Sequence, residues 1–125
     1  MKKFIKIVTD ILLVIVLVIA AVLYIPRLMG LKTYKVLSGS MEPEYHVGSV
    51  VYVEKSSIDD IEVGDVITFY INDNTVVTHR VVDNDTESFH TKGDANETED
   101  GGSVAYDKVV GKVVLNVPYL GYILR

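Results

Sequence analysis

Cysteine and tryptophan are absent from this chain of 125 residues, and proline occurs only three times. Without cysteine there is no disulfide framework, no thiolate nucleophile and no cysteine-ligated metal site. Any covalent chemistry therefore has to use another nucleophile, such as a hydroxyl group. The length favours one domain, with enough chain to bury a core.

Net positive charge is confined to the amino-terminal segment, because acidic residues outnumber basic ones in the rest of the chain. Residues 1–30 carry a net charge of +3 and residues 31–125 carry −8, which together give the net charge of −5 for the whole chain. An acidic soluble part repels phosphate backbones. We therefore expect no nucleic acid partner.

An uncharged run from Ile11 to Ile25 follows the basic residues Lys2, Lys3 and Lys6. Its fifteen residues fall short of the roughly 20 that cross a bilayer, but apolar neighbours up to Met29 supply the missing length. A cleaved secretory signal peptide also has a basic start and an apolar core. No clear small-x-small cleavage site follows the run, however, and this favours an uncleaved membrane anchor.

The basic start also predicts the orientation of the chain. Lysines tend to stay on the cytoplasmic side of a membrane, which sends the rest of the chain across it. We predict a cytoplasmic tip and membrane anchor at residues 1–30 and an extracytoplasmic or lumenal domain at residues 31–125. Ser40 follows Ile25 by fifteen residues, and an extended linker of that length reaches at most ~50 Å. We expect this serine to work near the membrane surface.

Beyond residue 43 the sequence pattern is mostly that of β-strands, rich in β-branched and aromatic residues between turn signals. A capped helical turn is predicted at 57–60, a tight turn at 72–74 and an acidic loop at 94–103. The fold is therefore expected to be mainly β after one transmembrane helix. The predicted strands are residues 49–54, 66–71, 75–82, 87–92 and 106–117.

Residues 36–43, with the sequence Val-Leu-Ser-Gly-Ser-Met-Glu-Pro, place a serine after a short apolar run and then turn the backbone. Gly39 removes Cβ crowding beside Ser40, and Pro43 pushes Glu42 out of the helical region. A serine on such a rigid corner is well placed to act as a nucleophile, because its hydroxyl is both held and accessible.

His79 lies in the predicted strand 75–82, where alternation puts it on the same face as Val77 and Val81. A lone histidine on an apolar face is more often a core residue than a catalytic one. The motif at Ser40 makes a catalytic role for His79 more plausible, because a serine hydroxyl needs a base to become a good nucleophile and imidazole titrates near neutral pH. We predict that His79 is that base.

Other candidate bases fit less well. His46 follows the serine too closely to approach it from an opposing strand, and His90 lies in a weak strand beside a turn. A neutral lysine can also act as a base, but Lys92 borders an acidic loop, where it is expected to be charged and solvated. Lys55 stands at the end of a strand and is weaker still.

A third chemical element is the sequence Thr-Lys-Gly-Asp-Ala-Asn at residues 91–96, followed by Asp100. One interpretation is a solvated acidic loop, which suits Glu97 and Glu99. The alternative is that one aspartate, Asp94 or Asp100, orients His79 and stabilises the imidazolium that forms during attack.

Taken together, these motifs resemble those of the type I signal peptidases. The matching segments are Ser-Gly-Ser-Met-Glu-Pro at 38–43, His-Arg-Val at 79–81, Gly-Asp-Ala-Asn at 93–96 with Asp100, and Val-Pro-Tyr-Leu-Gly at 117–121. They occur in the order and approximate spacing of the family. Bacterial housekeeping members carry a lysine base, whereas His-Arg-Val is typical of the endoplasmic-reticulum branch, which archaea and some Gram-positive bacteria share.

The resemblance implies a role for each matching residue. Ser40 is expected to be the nucleophile, His79 the general base and Asp100 the third member of the triad, with Asp94 as a supporting second aspartate. Ser38 is expected to add its hydroxyl to the oxyanion hole beside the backbone N–H of Ser40. Shallow pockets near the site, lined by groups such as Met41, are expected to admit small substrate side chains. No metal or other cofactor is implied.

The implied function is a membrane-anchored serine endopeptidase that cleaves signal peptides from precursor proteins after small-x-small motifs. Its expected partners are these precursors, the lipid bilayer and the secretion translocon, and its expected location is the cell membrane or, in a eukaryote, the endoplasmic reticulum membrane. Two alternatives stay open: a peptidase of the same fold dedicated to a few exported proteins, and an anchored β-domain that binds partners without catalysis.

Overall fold

The computed structural model describes residues 1–122. The last three residues of the predicted domain 31–125 lie outside this described part. The chain divides into two compact units, Met1–Leu31 and Lys32–Arg125.

The first unit is a single helix, α1, which spans Lys2–Leu28. At ~1.5 Å per residue, its length is about 40 Å, more than the ~30 Å of a bilayer's hydrocarbon core. Pro26 lies within the helix and does not end it. By length and composition, α1 is the one helix among the described residues that is suited to cross a membrane.

The second unit is built on one antiparallel sheet, which confirms the mainly β prediction. Its strand order is β1-β2-β7-β3-β4-β5-β6. Short 3₁₀ turns at Gly39–Met41, Ile58–Asp60, Tyr106–Lys108 and Leu120–Tyr122 complete the unit. The seven strands are β1 (Lys32–Lys35), β2 (Val50–Glu54), β3 (Val66–Asn72), β4 (Thr75–Asn84), β5 (Ser88–Lys92), β6 (Ser103–Ala105) and β7 (Val109–Val117).

Strand β7 joins the two halves of this sheet. It pairs with β2 on one side and with β3 on the other. A cluster of buried apolar side chains packs within the β3–β6 half, because alternate residues of each strand point to the same face. Its members are Ile61, Ile67, Phe69, Val81, Phe89 and Val104.

The structure departs from the sequence prediction at short or polar segments. Strand β1 was not predicted, because Lys-Thr-Tyr-Lys has no apolar run, and it forms at the sheet edge by pairing with β2. Strand β6 has three residues and begins at Ser103, where an acidic loop was expected to end. The predicted strand 106–117 begins instead with a 3₁₀ turn. Ser57 holds the predicted cap position but makes no side-chain capping hydrogen bond.

Candidate active site

Ser40 lies in the 3₁₀ turn Gly39–Met41, at the end of an arm formed by residues 36–38. Two backbone hydrogen bonds fix this arm: the N–H of Val36 donates to the carbonyl of Ser49, and the N–H of Gly48 donates to the carbonyl of Val36, both at 2.9 Å. Glu42, before Pro43, is extended with φ −63° and ψ 145°. The chain therefore leaves the turn at once, as the proline predicted.

The Val-Pro-Tyr-Leu-Gly segment at 117–121 bonds to Gly48, which in turn bonds to the same arm. The N–H of Gly121 donates to the carbonyl oxygen of Gly48 at 2.7 Å. A Cβ at residue 121 would lie only 2.5 Å from that oxygen, so this close approach requires glycine. The sequence singled out this segment without assigning it a role; in the structure it holds the residues that position Ser40.

His79 connects the serine to an aspartate. Its Nε2 lies 3.1 Å from Oγ of Ser40, and its Nδ1 lies 2.7 Å from Oδ2 of Asp100. The imidazole is buried, with 8% of the residue exposed, and packs edge to face against the ring of Phe69 at 6.3 Å. Val81 is buried beside it, as the alternation of β4 predicted. The structure thus brings Ser40, His79 and Asp100 into one hydrogen-bonded chain.

Asp100 is held by Thr91, a residue to which the sequence assigned no function. The hydroxyl of Thr91 donates to Oδ2 of Asp100 at 2.6 Å, and the N–H of Asp100 donates to the carbonyl of Thr91 at 2.9 Å. Thr91 shares the buried face of β5 with Phe89. A hydroxyl on a buried strand face needs a polar partner; this requirement marks Thr91 for a polar contact but does not identify Asp100 as the partner.

Asp94 binds Arg80 rather than His79. Nε and Nη2 of Arg80 donate to the two carboxylate oxygens at 2.9 and 2.7 Å, and Nη1 donates to the carbonyl of Gly64 at 2.7 Å. The hydrogen bonds from Arg80 lower the pKa of Asp94 below its ordinary value of 3.8. The same contact raises the pKa of the Arg80 guanidinium. Asp94 makes its hydrogen bonds to Arg80 and thereby fixes the loop beside Ser40.

This loop touches the backbone of the serine directly. A Cβ on Gly93 would lie 2.6 Å from the carbonyl oxygen of Ser40 and 3.1 Å from its Cβ, so a larger residue does not fit without movement. The N–H of Asp94 points at the sulfur of Met41 at 3.4 Å. Met41 is almost fully buried, so it forms the floor between the serine turn and the loop.

Ser38 lies beside Ser40 on the exposed side of the site. Its hydroxyl oxygen is 3.1 Å from Oγ of Ser40, and the residue is exposed. A hydroxyl at this position is close enough to reach an oxygen atom of a group bound to Ser40.

A groove of about 410 Å³ opens at Ser40 and His79. One wall is formed by residues 34–38 and the other by residues 75–78 of β4. Strand β5 pairs with β4 only from Arg80 to Asn84. Residues 75–78 pair with β3 along one edge. Their opposite edge is therefore not paired with any strand in the described chain.

Two of the remaining candidate bases, His46 and Lys92, have other partners. Nδ1 of His46 lies 2.5 Å from a carboxylate oxygen of Glu42, and Nζ of Lys92 donates to the carbonyl of Gly93 at 3.1 Å. His90 lies opposite Asp83 in the β4–β5 pair. The described residues contain no group of three or more metal-ligating side chains that could hold an ion.

Comparisons with known proteins agree with the site. The model of the family described as signal peptidase, peptidase S26, matches residues 8–89, which include Ser40 and His79. Signal peptidase I W of Bacillus subtilis (strain 168) is 38% identical over 120 residues, covering 83% of this chain and 63% of that protein. The signal peptidase complex catalytic subunit SEC11C of Homo sapiens is 34% identical over 101 residues, covering 70% of this chain and 53% of that protein.

The chain thus spans between about half and two thirds of the length of these relatives. The family match covers well over half of the chain, and the relatives include both a bacterial enzyme and a catalytic subunit of SEC11 type. The resemblance read from the motifs is therefore confirmed: the chain belongs to the signal peptidase family, peptidase S26, in its endoplasmic-reticulum-type branch.

Proposed function

We propose that this protein is a membrane-anchored serine endopeptidase that cleaves signal peptides from precursor proteins after small-x-small motifs. The observation that carries the proposal is the hydrogen-bonded chain from Ser40 through His79 to Asp100, with distances of 3.1 and 2.7 Å, at one end of an open groove. Family membership and relatives named as signal peptidases support the same activity.

The proposed reaction follows from these contacts. His79 donates a hydrogen bond from its Nδ1–H to the Asp100 carboxylate and keeps that proton, so that the unprotonated Nε2 takes the proton of the Ser40 hydroxyl as Oγ attacks the scissile carbonyl. The Asp100 carboxylate stabilises the resulting imidazolium. The Nε2 proton then goes to the leaving amine, and water, deprotonated by the same nitrogen, hydrolyses the acyl-enzyme.

The oxyanion of the tetrahedral intermediate needs hydrogen-bond donors close to Ser40. The backbone N–H of Ser40 and the hydroxyl of Ser38 are the proposed donors, and Ser38 Oγ lies 3.1 Å from Ser40 Oγ. Donors that are already in place cost no reorganisation at the moment of reaction. Ser38 can rotate its hydroxyl hydrogen toward the developing charge.

The groove suits an extended peptide. A substrate strand lying between residues 36–38 and the unpaired edge of residues 75–78 gains backbone hydrogen bonds and presents alternate side chains to the enzyme. Met41 and Val77 both line the groove. Their side chains fill much of the volume below the scissile bond, so the pockets for substrate side chains are shallow. Alanine or another small side chain fits there at the first and third positions before the cut.

The membrane segment supports this choice of substrate. We propose that α1 anchors the protein with its amino terminus in the cytoplasm and the sheet unit outside it, since Lys2, Lys3 and Lys6 precede the apolar run. A signal peptide is itself apolar and held in the bilayer. Enzyme and precursor then share one membrane, which reduces the search to two dimensions. The secretion translocon is a further proposed partner because it delivers such precursors.

Unbiased mapping of cleavage sites tests the proposal. Membranes that contain the wild-type protein are incubated with a mixture of secretory precursors, and new amino termini are identified by mass spectrometry, with Ser40→Ala as the matched control. We expect new termini directly after Ala-x-Ala or similar motifs in the wild-type sample alone. Cuts without small residues at those two positions refute the proposed specificity, and equal termini with Ser40→Ala refute catalysis. If only a few precursors are cleaved, the protein is a peptidase dedicated to those substrates.

A further inference from the structure

Thr91 is a fully buried residue whose hydroxyl bonds to the aspartate of the proposed triad. Its Oγ1 lies 2.6 Å from Oδ2 of Asp100, the same oxygen that lies 2.7 Å from Nδ1 of His79. Its carbonyl also accepts the backbone N–H of Asp100 at 2.9 Å. Thr91 therefore holds both the main chain and the carboxylate of Asp100.

Asp100 needs such an anchor, because its own position in the fold is weakly constrained. It ends a loop in which residues 95–99 are all exposed, and 28% of its side chain is exposed. It also borders a second cavity of about 280 Å³, beyond His79, whose lining includes Phe69, Ile71 and Val104. A carboxylate with open space beside it has more than one rotamer available.

We propose that Thr91 is a positioning residue for the reaction proposed above, on which this inference rests. Its hydroxyl selects the rotamer of Asp100 in which Oδ2 faces Nδ1 of His79. This contact keeps the Nδ1–H tautomer of His79 in place and leaves Nε2 directed at Ser40 as the proton acceptor. Without it, the carboxylate can leave this rotamer, and the imidazole is held less firmly in its orientation.

The chain offers substitutions that separate this role from plain packing. Thr91→Val keeps the shape of the side chain and removes the hydroxyl, whereas Thr91→Ser keeps the hydroxyl and removes a methyl group. Thr68→Val is the matched control, because Thr68 is also fully buried on a strand and its hydroxyl lies 2.7 Å from that of Thr78. The neighbouring pair in the β3–β4 register is Ile67 with His79, so Thr68 lies on the opposite face of the sheet from His79.

The test is steady-state cleavage of a soluble peptide containing Ala-x-Ala by the full-length protein in detergent. We expect Thr91→Val to lower kcat by about 10- to 100-fold, since a small misplacement of a catalytic group costs up to ~10² in rate, with KM nearly unchanged. Thr91→Ser should recover most of the lost kcat, and Thr68→Val should keep the wild-type kcat. In an Asp100→Asn background, Thr91→Val should lower kcat little further, because the effects of substituting two residues that act through one another do not add.

A second readout does not depend on turnover. In protein labelled with ¹⁵N-histidine, the Nδ1 proton of His79 gives a downfield NMR signal because it is shared with a carboxylate. We expect Thr91→Val to shift or broaden this signal, and Thr68→Val to leave it unchanged.

The outcomes separate this inference from the proposed function. If the wild-type protein cleaves and Thr91→Val keeps its full kcat, or adds its full loss to that of Asp100→Asn, Thr91 does not position Asp100. Equal losses in Thr91→Val, Thr91→Ser and Thr68→Val, with equally lowered melting temperatures, reduce Thr91 to a packing role. If the wild-type protein cleaves nothing, the proposed function fails, and an unchanged NMR signal in Thr91→Val then overturns the positioning role as well.

Discussion

The backbone N–H of Ala95 donates a hydrogen bond to the carbonyl oxygen of Ser40 at 2.9 Å. Ser40 is therefore connected to the loop of residues 93–100 twice, once through this main-chain bond and once through the side chain of His79, which bonds to Asp100. Together, the two contacts restrict both the main chain and the side chain of Ser40. Substitutions in the loop are expected to affect the serine even where they touch no reacting atom.

The first prediction concerns the two central side chains. Ser40→Ala and His79→Ala should each lower kcat/KM by several orders of magnitude, and the double variant little more, because members of a triad act as a unit. Hydrolysis of an Ala-x-Ala peptide measures this, with His46→Ala as the control for an exposed histidine. Near-wild-type turnover in His79→Ala rules out His79 as the base.

Ser38→Ala should be less damaging than Ser40→Ala. Removal of one oxyanion donor costs up to about 10²–10³ in kcat, and the backbone N–H of Ser40 remains in this variant. The loss should fall on kcat and leave KM similar, because the contact forms only in the transition state. The control is Ser56→Ala, because Ser56 is a partly exposed serine outside the site whose hydroxyl bonds to the carbonyl of Glu54. A purely KM effect in Ser38→Ala contradicts the proposed role.

Gly93→Ala should disturb the site through packing alone. The added methyl group meets the Ser40 carbonyl oxygen at 2.6 Å, and overpacking of this kind typically costs about 1–3 kcal/mol. We expect a lower melting temperature together with reduced kcat, measured by thermal unfolding and peptide cleavage. Gly101→Ala is the matched control, since a Cβ there meets nothing within 4 Å. Unchanged activity and stability in Gly93→Ala show that the loop can move away without cost.

Acid should weaken the Arg80–Asp94 ion pair over a defined pH range. Because the folded-state pKa of Asp94 lies below 3.8, the pair stabilises the fold fully at pH values well above 3.8. This stabilisation is lost as the pH falls below 3.8 and through the lower folded-state pKa. With side chains 31% and 21% exposed, the pair contributes about 1 kcal/mol at most.

Denaturant unfolding of the wild-type protein and of Asp94→Asn measures this effect. The difference in free energy of unfolding between the two should be constant from pH 7 to about pH 5 and should shrink below about pH 4. A difference that stays constant down to pH 3 shows that the charge of Asp94 contributes nothing to stability.

Removal of residues 1–29 should slow the binding of membrane-inserted substrates without impairing the catalytic step. We expect cleavage of membrane-inserted precursors to fall far more than cleavage of a short soluble peptide, because the shortened protein no longer shares the bilayer with its substrate. Parallel assays on both substrates measure the ratio. Equal losses on the two show that the helix supports the folding of the sheet unit instead.

The central pair of the site was predictable from the sequence because its signals are local. Residues 38–43 carry the turn chemistry around Ser40, and the alternation of β4 puts His79 on the buried face. The choice between Asp94 and Asp100 could not be made from these residues alone. Both lie in or beside an acidic loop without periodicity, and only the three-dimensional contacts with Arg80 and His79 distinguish them.

The structure also forms elements that local pattern does not encode. Lys32–Lys35 becomes strand β1 because β2 offers it an unpaired edge, a tertiary effect that overrides the polar composition. Ser103–Ala105 pairs with β5 in the same way. Thr91 belongs to a motif that the sequence shows, but its partner Asp100 lies nine positions further along the chain, beyond an irregular loop. The sequence pattern therefore does not predict their contact.

Strand β7 joins the two parts of the sheet that carry the residues of the site. Ser40 belongs to the half of the sheet that contains β1 and β2, whereas His79 and Asp100 belong to the half that contains β3 to β6. The strand between these halves, residues 109–117, follows both of them in the chain. During synthesis, each half can form before the element that connects them exists. We therefore expect the sheet, and with it the full set of contacts around Ser40 and His79, to be completed only after residues 109–117 have been made.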